Sequence, residues 1–187
     1  MVVGSDNTKR FIPVHNITME SKFLNNLPAF HALTGCDTTS QFAGIGKKTA
    51  WGVYLNQYQL LNNVGKSSFD DKLFDEMHSF VLKLYQAPED IDSIDNLRGL
   101  QASSKSLLKL PPTKDSLRFH CLRVHYQTKV WLNSLIPKPS LGDLYDHGWR
   151  KSDSGTEPIF TTLEKFPTNL IGLSTCKCKK GSYYLLY

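Results

Sequence analysis

Between Thr113 and Ile136 the residues Leu117, Cys121, Val124, Thr128, Trp131 and Leu135 recur at alternating spacings of four and three. That spacing lines one face of an α-helix, so the segment predicts a long helix whose apolar stripe must be covered by other elements. Shorter copies of the pattern precede it. Lys47–Asn62 reads as one helix, and Ser67–Gln86 as another with Phe69, Leu73, Met77, Phe80 and Leu84 on its stripe. Ser68 or Asp70 can cap that second helix, and Pro88 stops it. Ile91–Leu110 is a weaker helical stretch, interrupted by Gly99 and closed by Pro111-Pro112. The chain is therefore expected to be mostly α, with at least four helices after Gly46.

The segment before Gly46 reads differently. Arg10–Val14, RFIPV, is a short β-prone run, Ile17–Leu24 can form a short helix, and Pro28–Leu33, PAFHAL, is a second apolar run with Ala29–Leu33 as a candidate strand. A parallel α/β sheet needs several strand-helix units, and a lone one implies an edge strand or missing upstream strands. Residues 1–43 are thus expected to be a small α/β remnant, and residues 44–136 a helical region. From Pro137 onward Pro, Gly, Ser and Asp dominate, as in DLYDHGWRKSDSGTEP, which predicts an extended arm over residues 137–187.

With 40% hydrophobic and 11% aromatic residues the chain can bury a core, which excludes wholesale disorder. No stretch approaches the roughly 20 apolar residues needed to span a bilayer, and the N-terminus has no signal-peptide core. The four cysteines, Cys36, Cys121, Cys176 and Cys178, lack a disulfide-framework spacing. They fit a reducing, intracellular setting, the nucleus included. Charge is unevenly spread. Residues 1–66 carry six Lys/Arg against three Asp/Glu, residues 67–95 two against eight, and residues 96–187 fourteen against six. The basic ends suit a polyanion such as DNA or RNA, although a solvated basic surface has the same composition.

One motif carries chemistry. In Gly44-Ile45-Gly46-Lys47-Lys48-Thr49-Ala50, two glycines around an apolar residue allow a tight turn with outward amides, and the following helix adds its free N-terminal N–H groups. Such a turn can grip a phosphate, with Ile45 as its anchor in the core and Lys47 and Lys48 as added charge. Contacts of this kind give affinity for a sugar-phosphate backbone without base readout. The plainer alternative is a glycine-rich turn capped by a helix. Just upstream, in Thr34-Gly35-Cys36-Asp37-Thr38-Thr39-Ser40, Asp37 follows an apolar run and a glycine. Its carboxylate could bind a divalent metal, or could cap the backbone of Thr39 or Ser40.

Taken together these pieces resemble the flap-endonuclease/PIN-like 5′-nuclease family, which has an apolar run, G-x-D, a short link and G-I-G-x-K-x-A opening a helix. The resemblance implies that Asp37 stands where the family places one carboxylate of a two-metal cluster, with Mg2+ or Mn2+ as cofactor. It implies also that Gly44, Ile45, Gly46, Lys47, Lys48 and Thr49 form a helix-hairpin-helix turn that grips DNA, often around a K+ ion held by carbonyls. The family has Tyr after the motif Asp, whereas Thr38 stands here. A narrower likeness rests on LPAFHALTGCDTTSQFAGIGKKTA, LPPTKDSLRFHCLRVHYQTKVWLNSL, Gly148-Trp149 and the terminal Cys-x-Cys. It points to animal proteins of mobile-element character with a PIN-like core, this helical region and a cysteine-rich tail.

The departures bear on mechanism. Hydrolysis by two metals about 3.5–4 Å apart needs several carboxylates. Only Asp6 and Glu20 precede Asp37, and neither sits in a matching motif. The expectation is a truncated or degenerate nuclease-like protein that holds a DNA backbone but does not cleave unaided, with a non-catalytic helical interaction module as the alternative. No membrane and no small-molecule cofactor are expected. Among smaller signals, Cys176-Lys177-Cys178 could open a zinc module, but two thiolates do not close a tetrahedral site. Cys121, four residues before His125, reads as a buried structural cysteine rather than a ligand. His31 is expected in the core, and Trp51 and Tyr54 as helix-packing residues.

Overall fold

The Asp70 carboxylate accepts the Leu73 N–H at 2.8 Å and starts α4 (Asp71–Leu84). Thr113 does the same for α6 (Lys114–Leu132), its hydroxyl accepting the Ser116 N–H at 3.2 Å. Such caps satisfy donors that a helix leaves unpaired at its start, each stabilising by ~1 kcal/mol. The computed structural model describes residues 2–3, 5, 8–13 and 18–164. Within them the other helices are α1 (Ser21–Leu24), α2 (Leu27–Leu33), α3 (Lys47–Gln57) and α5 (Ile94–Gln101), with 3-10 turns at Tyr58–Leu61, Leu107–Lys109 and Leu144–His147.

The mostly helical expectation holds. Leu73, Met77, Phe80 and Leu84 of α4 are buried, as are Leu117, Cys121, Val124 and Thr128 of α6. These faces join Ala29, Phe30, Ala32 and Leu33 of α2 and Ala50 and Tyr54 of α3 in one hydrophobic cluster. Each large side chain removed from water there stabilises by roughly 1.5–3 kcal/mol. Residues on both sides of the Phe42–Gly44 link therefore share one core, with α2 laid against α6. The contact is sealed by His120, whose buried Nε2–H donates to the Leu33 carbonyl at 3.0 Å.

Several expectations need correction. Ala29–Leu33 is helical, not a strand: Pro28 sits in the first turn, where its missing N–H costs nothing, and four residues of this short helix are buried. The helix foreseen from Ile17 is confined to Ser21–Leu24, and Ile17 lies outside the described residues. Arg10–Phe11 (β2) pairs antiparallel with Val2–Val3 (β1), and among the described residues this sheet has two strands rather than being one edge of a larger one. The stripe of α6 ends before Leu135, which is 96% exposed, because the helix stops at Leu132.

The arm foreseen from Pro137 is ordered over much of its described part. Trp149–Ser152 (β3) and Gly155–Pro158 (β4) form an antiparallel hairpin, entered through Gly148 at φ +80°. The expected Cys176-Lys177-Cys178 module lies outside the described residues. No helix among the described residues is long and apolar enough to cross a membrane.

Candidate functional site

The glycine turn is built from two requirements. Gly44 has φ +75°, a conformation that costs an L side chain roughly 1–2 kcal/mol, and the Ile45 N–H donates back to the Phe42 carbonyl at 3.1 Å. Ile45 is half-buried and packed against the core, as its anchoring role requires. Gly46 is the N-cap of α3 at φ −82° and ψ 161°, ordinary extended backbone, and a Cβ there would meet nothing within 4 Å. The fold itself does not demand glycine at position 46. Gly46 leaves open space in front of the helix start.

The first helical bond into α3 from this end runs from the Ala50 N–H to the Gly46 carbonyl at 3.0 Å. The N–H groups of Lys47, Lys48 and Thr49 have no acceptor among the described residues, and neither a capping side chain nor an acidic residue sits in the first turn. Three amides at the positive end of an 11-residue helix thus face solvent.

The two lysines part company. Lys47 turns inward, and its ammonium donates to the His31 carbonyl at 3.0 Å, Thr34 Oγ1 at 2.9 Å and the Gly35 carbonyl at 2.7 Å. An ammonium has three donors, and all three are used. Burial pulls the Lys47 pKa down, opposed by the neighbouring Cys36 thiol. Lys47, foreseen as a phosphate contact, instead ties the start of α3 to the end of α2. Lys48 is exposed and makes no hydrogen bond or ion pair among the described residues, so its charge is available to a ligand.

The Asp37 loop lies against this junction. Cys36 and Thr39 exchange backbone bonds, N–H to O at 3.1 and 3.3 Å, which puts Asp37 and Thr38 at the tip of a tight turn. Asp37 is exposed and accepts no hydrogen bond among the described residues, so the capping alternative is not realised. Cys36 Sγ lies 3.0 Å from Thr39 Oγ1 and 3.4 Å from Thr38 Oγ1. Burial pushes this thiol up, but the hydrogen bonds from Thr38 and Thr39 outweigh it, leaving a net lowering. No three His, Cys, Asp or Glu side chains among the described residues come together to hold a metal ion. As the described donors stand, the set does not fit a two-metal centre, which needs several carboxylates around Asp37.

His31 is exposed rather than in the core, its ring 5.5 Å from that of Trp131. Tyr54 is buried with its hydroxyl donating to the Phe23 carbonyl, and Trp51 packs edge-on against Phe30 at 5.5 Å. Both are packing residues, as expected. Cys121 is buried within α6, and burial drives its thiol pKa far up. His125 is held by its own bond, Nδ1 accepting the Gly65 N–H at 3.1 Å. Sequence reasoning passed over Arg123, a buried cation under the β3–β4 hairpin. The only signal for it was an arginine beside the apolar stripe of α6, uninformative while the covering hairpin read as an arm.

Comparison with family models, curated proteins and solved structures yields no match.

Proposed function

We propose that this chain binds the phosphate backbone of nucleic acid, without regard to sequence, through the Gly44–Thr49 turn. In this reading it is a truncated or degenerate relative of structure-specific nucleases, with residues 1–43 as the edge of a PIN-like core. The observation that carries it is the division of labour at the helix start. Lys47 fixes the turn against α2, while the free amides of residues 47–49, the open space at Gly46 and the free Lys48 ammonium converge on solvent. A phosphate there would take amide hydrogen bonds and the favourable end of the helix dipole. Asp37 belongs to no group of three or more metal-ligating side chains among the described residues, and the proposed activity is binding.

The test substitutes Gly46→Val. Its backbone angles suit a β-branched residue and the added side chain meets no neighbour, so loss of the glycine N-cap costs about 1 kcal/mol at most. The valine would stand where the phosphate approaches. Duplex binding, followed by fluorescence anisotropy at low salt, should weaken at least tenfold while circular dichroism stays unchanged. A folded variant that binds as tightly as the parent removes the turn as the contact.

In that event the chain reads instead as a helical interaction module. One observation favours this second reading: Leu100, Leu107 and Leu108, close in sequence, are 57%, 62% and 84% exposed.

A further inference from the structure

Arg123 is only 3% exposed, on the side of α6 that faces the β3–β4 hairpin. Its Nη1 donates to the Gly148 carbonyl at 3.1 Å and to the Ile159 carbonyl at 2.6 Å, the residues that flank the hairpin. This accounts for a tether but not for an arginine. The guanidinium has five donors, and a neutral amide could hold the same two carbonyls without burying a charge. Nε and Nη2 form no hydrogen bond among the described residues, yet no side-chain polar atom there is both sealed from solvent and unpartnered. These two nitrogens therefore keep some contact with solvent. No Asp or Glu pairs with Arg123 among the described residues, whose ion pairs are Lys22–Glu20, Arg118–Asp71 and Arg150–Glu157.

Arg123 lines two cavities. The smaller, about 180 Å3, is walled by Phe42, Pro112 and Phe160, and the Phe160 ring stands 5.9 Å from the guanidinium carbon. The larger, about 240 Å3, is lined by Thr38, Tyr126, Gln127, Leu144, Trp149 and Thr156. It combines an apolar wall, Leu144 and Trp149, with hydroxyl and amide groups, and no acid lines it. Its volume exceeds the roughly 150 Å3 that suffices for a benzene ring. The Nε/Nη2 edge is one of the two forks with which arginine clasps an oxyanion in bidentate fashion.

We propose that the cavity between α6 and the β3–β4 hairpin binds a small aromatic ligand bearing one oxyanion group, a phosphomonoester or a carboxylate. The Nε/Nη2 edge of Arg123 supplies the missing counter-charge, and Trp149 and Leu144 cover the ring. Thr38 and Gln127, already joined by a 2.7 Å hydrogen bond, frame the entrance next to the Asp37 loop. This site is separate from the glycine turn and stands or falls independently of nucleic-acid binding there.

The experiment titrates phenyl phosphate, benzoate, benzyl alcohol and inorganic phosphate into the 15N-labelled full chain, following the Trp149 indole N–H and the Arg123 Nε–H. Phenyl phosphate or benzoate should saturate both signals, at least tenfold more tightly than benzyl alcohol or inorganic phosphate. Which of the two binds better identifies the oxyanion. Gln127→Glu is nearly isosteric and keeps an acceptor for Thr38. Four residues along the helix from Arg123, it places a carboxylate in the cavity as an internal counter-ion. It should weaken the anionic probe at least tenfold and leave benzyl alcohol unchanged; Thr156→Glu, from the hairpin side, serves the same purpose if the first variant misfolds. The proposal is overturned if no probe saturates, if benzyl alcohol or inorganic phosphate binds as well as the aromatic anion, or if the glutamate variants bind phenyl phosphate undiminished.

Discussion

The Lys47 ammonium stands 2.7 Å from the Gly35 carbonyl oxygen, so the first residue of α3 closes the last turn of α2. The two motifs that the sequence sets apart, Thr34–Asp37 and Gly44–Ala50, are thereby one mechanical unit. A cation at the C-terminal end of α2 also meets the negative end of that helix. The same contact orients the start of α3, and with it the free amides of residues 47–49.

Lys47 and Lys48 should therefore respond oppositely to mutation. Lys47→Met removes three charge-assisted hydrogen bonds at a partly exposed site, and the expected loss is about 1–2 kcal/mol in urea denaturation. Lys48→Met should change stability by no more than ~0.5 kcal/mol. It should instead weaken duplex binding and lower the slope of log K against log salt by about 1, as removal of one phosphate contact does. Equal stability losses in the two variants would contradict this division.

Three glycines rank by what surrounds them. Gly65 has φ +75°, and a Cβ there would lie 2.7 Å from Thr128 Cγ2 and 2.8 Å from the Lys129 nitrogen. Backbone of α6 cannot give way cheaply, so Gly65→Ala should cost roughly 3 kcal/mol or more. Gly44 shares the φ but faces open space, and Gly44→Ala should cost only about 1–2 kcal/mol. Gly46→Ala has neither difficulty and should remain within ~1 kcal/mol of the parent. Melting temperatures of the three variants in one buffer test the order directly.

How far the sequence revealed this architecture depended on where each element finds its stability. α4 and α6 bury a stripe at helical spacing and begin at a capping side chain, so both the period and the start are written locally. The seven residues of α2 bury four of their number, which leaves an apolar run with too few turns to show a period. The β3–β4 hairpin has no apolar alternation to read. It is held by Gly148 and by Arg123, a side chain 25 residues before that glycine. At the candidate site the turn and its anchor Ile45 were legible because glycine geometry is local. The inward path of Lys47 was not, since it depends on where α2 ends in space.

The buried histidines make stability depend on pH. His120 donates to the Leu33 carbonyl from Nε2, and His125 accepts the Gly65 N–H at Nδ1, each in one neutral tautomer. Burial is the main cause that brings both down to about 4 from an ordinary 6.5; Arg123 adds to it for His120, and His147 and Lys129 for His125, while backbone hydrogen bonds at Leu33 and Ser67 oppose it. His78, which accepts the Ile94 N–H at Nε2, is lowered in the same direction, by burial first. Because the folded state binds these protons less readily than the unfolded chain, the histidines favour folding fully above pH 6.5. That contribution is lost as pH falls from 6.5 toward 4, about 1–2 kcal/mol per group between pH 7 and pH 5 for His120 and His125. Urea midpoints should accordingly drop over this interval, before most carboxylates protonate. Glutamine can donate to Leu33 and accept from Gly65 without titrating, so His120→Gln/His125→Gln should flatten the dependence even if it lowers stability at pH 7. A parent protein equally stable at pH 5 and pH 7 would show that these rings take up protons without disturbing the core.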